Sequence, residues 1–162
     1  MKLSNIIGKQ VISIFDSTVI GTVFSFQLNK SKTCITDILL EGANSEVYLI
    51  PTSKIFASLD CILIKNNSPI SLVADNYPPT MMNALVFDLA GRGLGNVIDI
   101  HYDERYQISS FITQRATISP KQIVNCTQKL ILINTDTHYI LSHFYPRTKF
   151  AQNSKMDVSI LN

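Results

Sequence analysis

The residue types best suited to chemistry in this chain gather in its second half. Asp99, His101 and Asp103 alternate, so on a continuous strand they share one face. Two carboxylates and an imidazole make a donor set for a divalent cation. Alternate strand residues stand about 6 to 7 Å apart, however, and three of them close on one ion only if the strand bends sharply. The expected role is a solvated polar face opposite Ile98, Ile100 and Tyr102. Gly91-Arg92-Gly93-Leu94-Gly95 has the small residues of a phosphate-cradling loop, but neither the dinucleotide nor the phosphate-loop spacing. A strand follows it instead of a helix N-terminus, so a hairpin-type turn is expected. His101, His138 and His143 are the available bases, yet there is no Gly-x-Ser-x-Gly elbow and no cysteine in a catalytic context. Cys34, Cys61 and Cys126 are odd in number and form no Cys-x-x-Cys pair, which points to free thiols rather than zinc or disulfides. No catalytic, cofactor-binding or metal-ligating residue is assigned, and no cofactor is expected.

One set of side chains does suggest an interaction. Near the C-terminus Tyr139, Phe144 and Tyr145 interleave with Arg147 and Lys149. Aromatic rings that stack bases beside cations that hold phosphate are an RNA-binding pattern. The competing reading, favoured because so few cations give a weak electrostatic footprint, continues a second structural unit through Tyr139-Ile140-Leu141 and packs Phe144 across its end.

These groups need elements to position them, and composition limits which. The chain is 46% hydrophobic and only 16% charged, a folding composition with much apolar surface to hide. Its formal charge of +2 is too small to imply a polyanionic partner, and all of the excess lies beyond Asp75. No window reaches the roughly 18 continuous apolar residues of a membrane helix. The N-terminus lacks a signal peptide's apolar stretch and cleavage site, so a cytoplasmic location is the default expectation.

A repeat organises the rest. Ile20 to Leu28 and Leu94 to Tyr102 read as the same strand at an offset of 74, with Phe24, Phe26 and Leu28 answering Ile98, Ile100 and Tyr102 on the expected core face. Around the first copy, strands are expected from Ile6 to Phe15, Cys34 to Leu40, Val47 to Ile50 and Cys61 to Ile64. Asp16-Ser17-Thr18, Asn29 to Lys32 and Glu41 to Ser45 supply turns. Gly21 suggests a bulge, a bend or close backbone approach. Thr52 to Ile55 reads as one helical turn, and Ile70 to Val73 as a further strand before the Pro78-Pro79 boundary. In the second copy Ile108 and Phe111 match Ile35 and Ile38 at 73. Ile118, Ile123 and Leu130-Ile131-Leu132 match Ile50, Ile55 and Ile62-Leu63-Ile64 at 68. Residues are lost only in turns. The expected units are 1–75, 76–136 and a C-terminal extension, 137–162.

The pattern resembles the PRC-barrel family. Three features carry the resemblance across roughly residues 5–134. They are the apolar-Gly-x-Val entries Ile20-Gly21-Thr22-Val23 and Leu94-Gly95-Asn96-Val97; Leu49-Ile50-Pro51 leading to Ser53-Lys54-Ile55, echoed by Ile118-Ser119-Pro120-Lys121-Gln122-Ile123; and the closing hydrophobic strand. Pro120 falls one position later than Pro51, so the two local turns are expected to differ. Similar domains form the cytoplasmic part of the photosynthetic reaction-centre H subunit, the C-terminal domain of the ribosome maturation factor RimM, and small sporulation-associated proteins. The resemblance implies an all-β protein of two tandem small barrels in a bacterial setting. Because such domains are adaptors without a shared catalytic site, it also implies a non-enzymatic adaptor or scaffold for a protein partner. A ribosome- or RNA-associated factor is the alternative, and an enzyme the residual one.

Overall fold

Residues 1–65, 71–72 and 80–135 are described by the computed structural model of the chain. Within them, β-branched runs cut by Asn, Asp, Gly and Pro form strands, short 3-10 turns and no α-helix. The first half lays down β1 (Gln10–Ser13), β2 (Val19–Leu28), β3 (Ile35–Glu41), β4 (Val47–Pro51), β5 (Ile55–Ser58), β6 (Ile62–Ile64) and β7 (Ser71–Leu72). The second adds β8 (Leu85–Asp88), β9 (Gly93–Tyr102), β10 (Ile108–Thr113), β11 (Thr117–Ile118), β12 (Ile123–Cys126) and β13 (Leu130–Ile133). They form two sheets, ordered β5-β6-β1-β2-β3-β4-β7 and β11-β10-β9-β8-β13-β12. β1 with β6 and β8 with β13 run parallel, and all other neighbours are antiparallel. The expected all-β class is observed, and the ladders by themselves do not close into barrels.

Each irregularity in one sheet has a counterpart in the other. The extra residue between β2 and β3 is Phe24, and between β9 and β10 it is Ile98. Thr36 answers Ser109, Ile20 answers Leu94, and Phe56 answers Val124 in the same way. A bulge interrupts the two-residue alternation, so everything on one side of it changes face. The expected core face is corrected accordingly. Phe24 and Ile98 turn outward at 36% and 47% exposure, while Val23, Phe26, Val97 and Ile100 are buried.

Two further expectations change, and a third holds in part. The first strand is shorter than Ile6 to Phe15, because Leu3–Asn5 is a 3-10 turn and Gly8 has φ +88°. Pairing with the parallel neighbour sets Val11 on Ile62 and Val86 on Ile131, so the last strands correspond at 69, with one residue gained in the preceding turn. The shifted prolines leave the 3-10 turn in place but change its cap: Ser119 and Gln122 form a capping box in the second half, and Pro51 caps with no side-chain bond in the first. Pro51 precedes a 3-10 turn over Thr52–Lys54, and Pro120 opens the same turn over Pro120–Gln122, since proline suits either position. Gly21 fulfils two of its expected roles. It directly follows the bulged Ile20, and a Cβ there would stand 2.5 Å from the Glu41 carbonyl oxygen.

The halves meet along a local two-fold axis. Cys34 bridges Gln107, Ile35 N–H donates to the Tyr106 carbonyl (2.9 Å), and Ile108 N–H donates to the Thr33 carbonyl (2.8 Å). Residues 33 and 106, like 35 and 108, are 73 apart, so each half makes the same bond to the other. Apolar burial is continuous through this seam: Val23, Phe26, Ile35 and Ile38 share one cluster with Val97, Ile100, Tyr102 and Phe111.

Candidate functional site

The alternating Asp99, His101 and Asp103 do not converge. Asp99 accepts from Ser4 N–H (3.0 Å) and Ser4 Oγ (2.6 Å), and also from its neighbour Ile100 N–H (2.8 Å). Burial works against its charge, but the bonds from Ser4 and Ile100, with His101 nearby, hold the carboxyl below its ordinary value. Lys2 bridges His101, and Tyr102 N–H donates to the Met1 carbonyl (2.9 Å). Asp103 closes its own turn by accepting from Arg105 N–H (2.8 Å) and Gln107 N–H (3.0 Å). The expected solvated polar face is thus corrected in part, because Asp99 ties the N-terminal turn of the first half onto β9 of the second. Among the described residues, no three His, Cys, Asp or Glu side chains gather as metal ligands.

The glycine-rich segment is a hairpin turn between β8 and β9. Asp88 organises it: its buried Oδ1 accepts from Ala90 N–H and Arg92 N–H, both at 2.9 Å, and its Oδ2 accepts from Arg92 Nε at 2.6 Å. Burial raises this carboxyl, but the Arg92 backbone and guanidinium and the Ala90 N–H outweigh it and leave it below its ordinary value. Gly91 takes φ +84°, which a side chain would resist. In the first half the same strand position is the buried Ser13, and Asp16 holds the turn by accepting from Thr18. Cys34, Cys61 and Cys126 are free thiols, half-buried and attached to different elements. Tyr102, stacked on Tyr106 with ring centroids 5.5 Å apart, has its phenol pushed up to about 12 by burial, then by Tyr106 and Asp99.

The expected interaction set, Tyr139, Phe144, Tyr145, Arg147 and Lys149, lies outside the described residues, as do His138 and His143. The structure instead displays an apolar surface that sequence reasoning missed. On β1 and β6 the inward residues are Val11, Ser13, Ile62 and Ile64, so Ile12 and Leu63 face outward. Ile12 pairs with Leu63 on one side and Val19 on the other, and Leu63 pairs with Ala57 beside the bulged Phe56. Val19, Ile12, Leu63 and Phe56 therefore make one outward row across four strands, with Val19 56% and Phe56 59% exposed. Ile14 and Phe15 extend it into the β1–β2 turn, and Lys65 Nζ sits 5.7 Å from the Phe56 ring centroid. A signal was present: Ile62-Leu63-Ile64 does not alternate, and a continuous apolar run is written for a strand covered on both faces. Leu3, Ile7, Phe24, Phe26 and Met82 line a groove of about 400 Å³ where the N-terminal turn meets β2.

Chemically these surfaces offer apolar contact and strand edges. Among the described residues no helix is long and apolar enough to cross a membrane. No protein-family model matches the chain, and no curated protein matches it.

Proposed function

We propose that this chain is a non-enzymatic adaptor built from two tandem PRC-type barrels, and that it binds a protein partner in the cytoplasm. The observation that supports this reading is the outward apolar row Val19, Ile12, Leu63 and Phe56, continued by Ile14 and Phe15. A contiguous apolar strip on a sheet's outer face costs free energy in water and gains it when a partner covers it. The bulges that recur at matching positions are what a duplicated unit would produce.

The test is affinity capture from native lysate with the tagged full chain, with and without nuclease. Capture should survive nuclease, vary little between low and moderate salt, and fail in Phe15→Ser/Val19→Ser, which leaves the melting temperature unchanged. A ribosome- or RNA-associated role is the second reading, favoured by Tyr139, Phe144 and Tyr145 interleaved with Arg147 and Lys149. It requires the opposite outcome: capture abolished by nuclease, falling steeply with salt, and lost when Arg147 and Lys149 are both replaced by Ala.

A further inference from the structure

The open edge of β5 has a charge pattern that complements itself. Among the described residues β5 pairs only with β6, so its other edge presents the backbone of Ile55–Ser58 with no strand against it. Natural proteins guard such edges with charges, prolines or bulges, and Ile55-Phe56-Ala57-Ser58 has no charge and no proline but does carry the bulge at Phe56. The bulge at Phe56 turns the ring outward instead of ending the strand. Charges stand just outside. Lys54 immediately precedes the strand and Asp60 follows it, both exposed. The Lys9 ammonium donates to the Leu59 carbonyl and pins the loop that carries Asp60.

We infer that a second copy of this chain docks on this edge, β5 against β5, antiparallel about a two-fold axis between Phe56 and Ala57. That register sets Ile55 opposite Ser58 of the second copy and brings each Lys54 to Leu59 and Asp60 of the other chain. Two opposite-charge pairs then frame an uncharged strand pair, and the contact closes as an isologous dimer. The corresponding edge of the second sheet lacks this property. β12 is bounded by Lys121 and Lys129, both exposed, so its self-pairing would set lysine beside lysine. Because the axis stands perpendicular to the sheet, the outer faces of both copies lie on one side, and the two apolar rows meet at Phe56.

Sedimentation of the full chain over a wide concentration range tests this, with melting temperatures of dilute samples confirming that each variant folds. The native chain should show a monomer–dimer equilibrium that stops at the dimer. Lys54→Glu and Asp60→Lys should each weaken dimerisation about tenfold, because two attractive pairs become repulsive, and the double variant should restore it. A chain still monomeric at millimolar concentration overturns the inference. So does assembly beyond the dimer, which would bring β12 into the contact. Indifference to the single swaps, or no rescue by the double variant, overturns it equally.

Discussion

Asp88 is a carboxylate held charged inside the protein, and its consequences follow from its partners. Three donors converge on it, so its folded-state value lies below the ordinary one near 4. The stability it contributes is therefore present above about pH 4 and drains away as pH falls through the lower folded value. Thermal melts between about pH 2 and pH 6 should show the melting temperature dropping on acidification. Asp88→Asn should start about 1 to 3 kcal/mol less stable and fall less steeply, because the neutral amide has no proton to take up. An acid limb as steep in the variant as in the native chain would remove Asp88 from this role. The hairpin turn at Gly91 to Gly95 was legible in the sequence, but the burial of Asp88 before it was not, because burial depends on which strand face the turn follows. Asp99 was harder still. Its polar character showed in the sequence, but its partner Ser4 lies 95 positions away, and no local spacing announces such a contact.

At the level of elements, the strands were legible and their faces only in part. Alternation marks a strand well, but one extra residue reverses the count, and Phe24 and Ile98 carry no mark of being that residue. Gly21 hinted at irregularity in β2 without locating it. The bulge makes a direct prediction from neighbouring positions in β9. Ile98→Lys, at a site already 47% exposed, should change stability by less than about 1 kcal/mol. Val97→Lys, at a site with no exposure, should cost more than about 4 kcal/mol and abolish the cooperative melt. Urea unfolding of the two variants decides it, and similar losses in both would mean that the alternation runs unbroken through Val97. The outer row shows the converse limit. Ile62-Leu63-Ile64 was legible as a closing hydrophobic strand, but its unbroken apolar run does not say which members face out, and it is Leu63 that faces outward while Ile62 and Ile64 are buried.

For the whole molecule, the seam between the halves decides whether they act as one body. Boundaries drawn from the repeat and from Pro78-Pro79 set out two small units and a C-terminal extension. The seam is not legible in the sequence because it is built from bonds between turns more than 70 positions apart. It carries paired backbone hydrogen bonds at Thr33–Ile35 and Tyr106–Ile108, the Ser4–Asp99 tie, and a cluster of buried side chains drawn from both halves. Small domains bury too little surface to be robust alone, so an apolar seam should couple their unfolding. Calorimetry of the full chain should accordingly show one transition, with calorimetric and van't Hoff enthalpies in agreement. Tyr102→Ala tests the coupling from inside the second half. Tyr102 is 3% exposed and stacks on Tyr106, and losing the ring should cost about 3 kcal/mol. At this chain length that is a fall of roughly 6 to 12 °C. If the halves are one cooperative body, the whole transition moves down and remains single, including the part contributed by β1 to β6. Two transitions, of which only one responds to Tyr102→Ala, would instead mean that the seam is a contact between independent domains, and that the continuous core does not bind them thermodynamically.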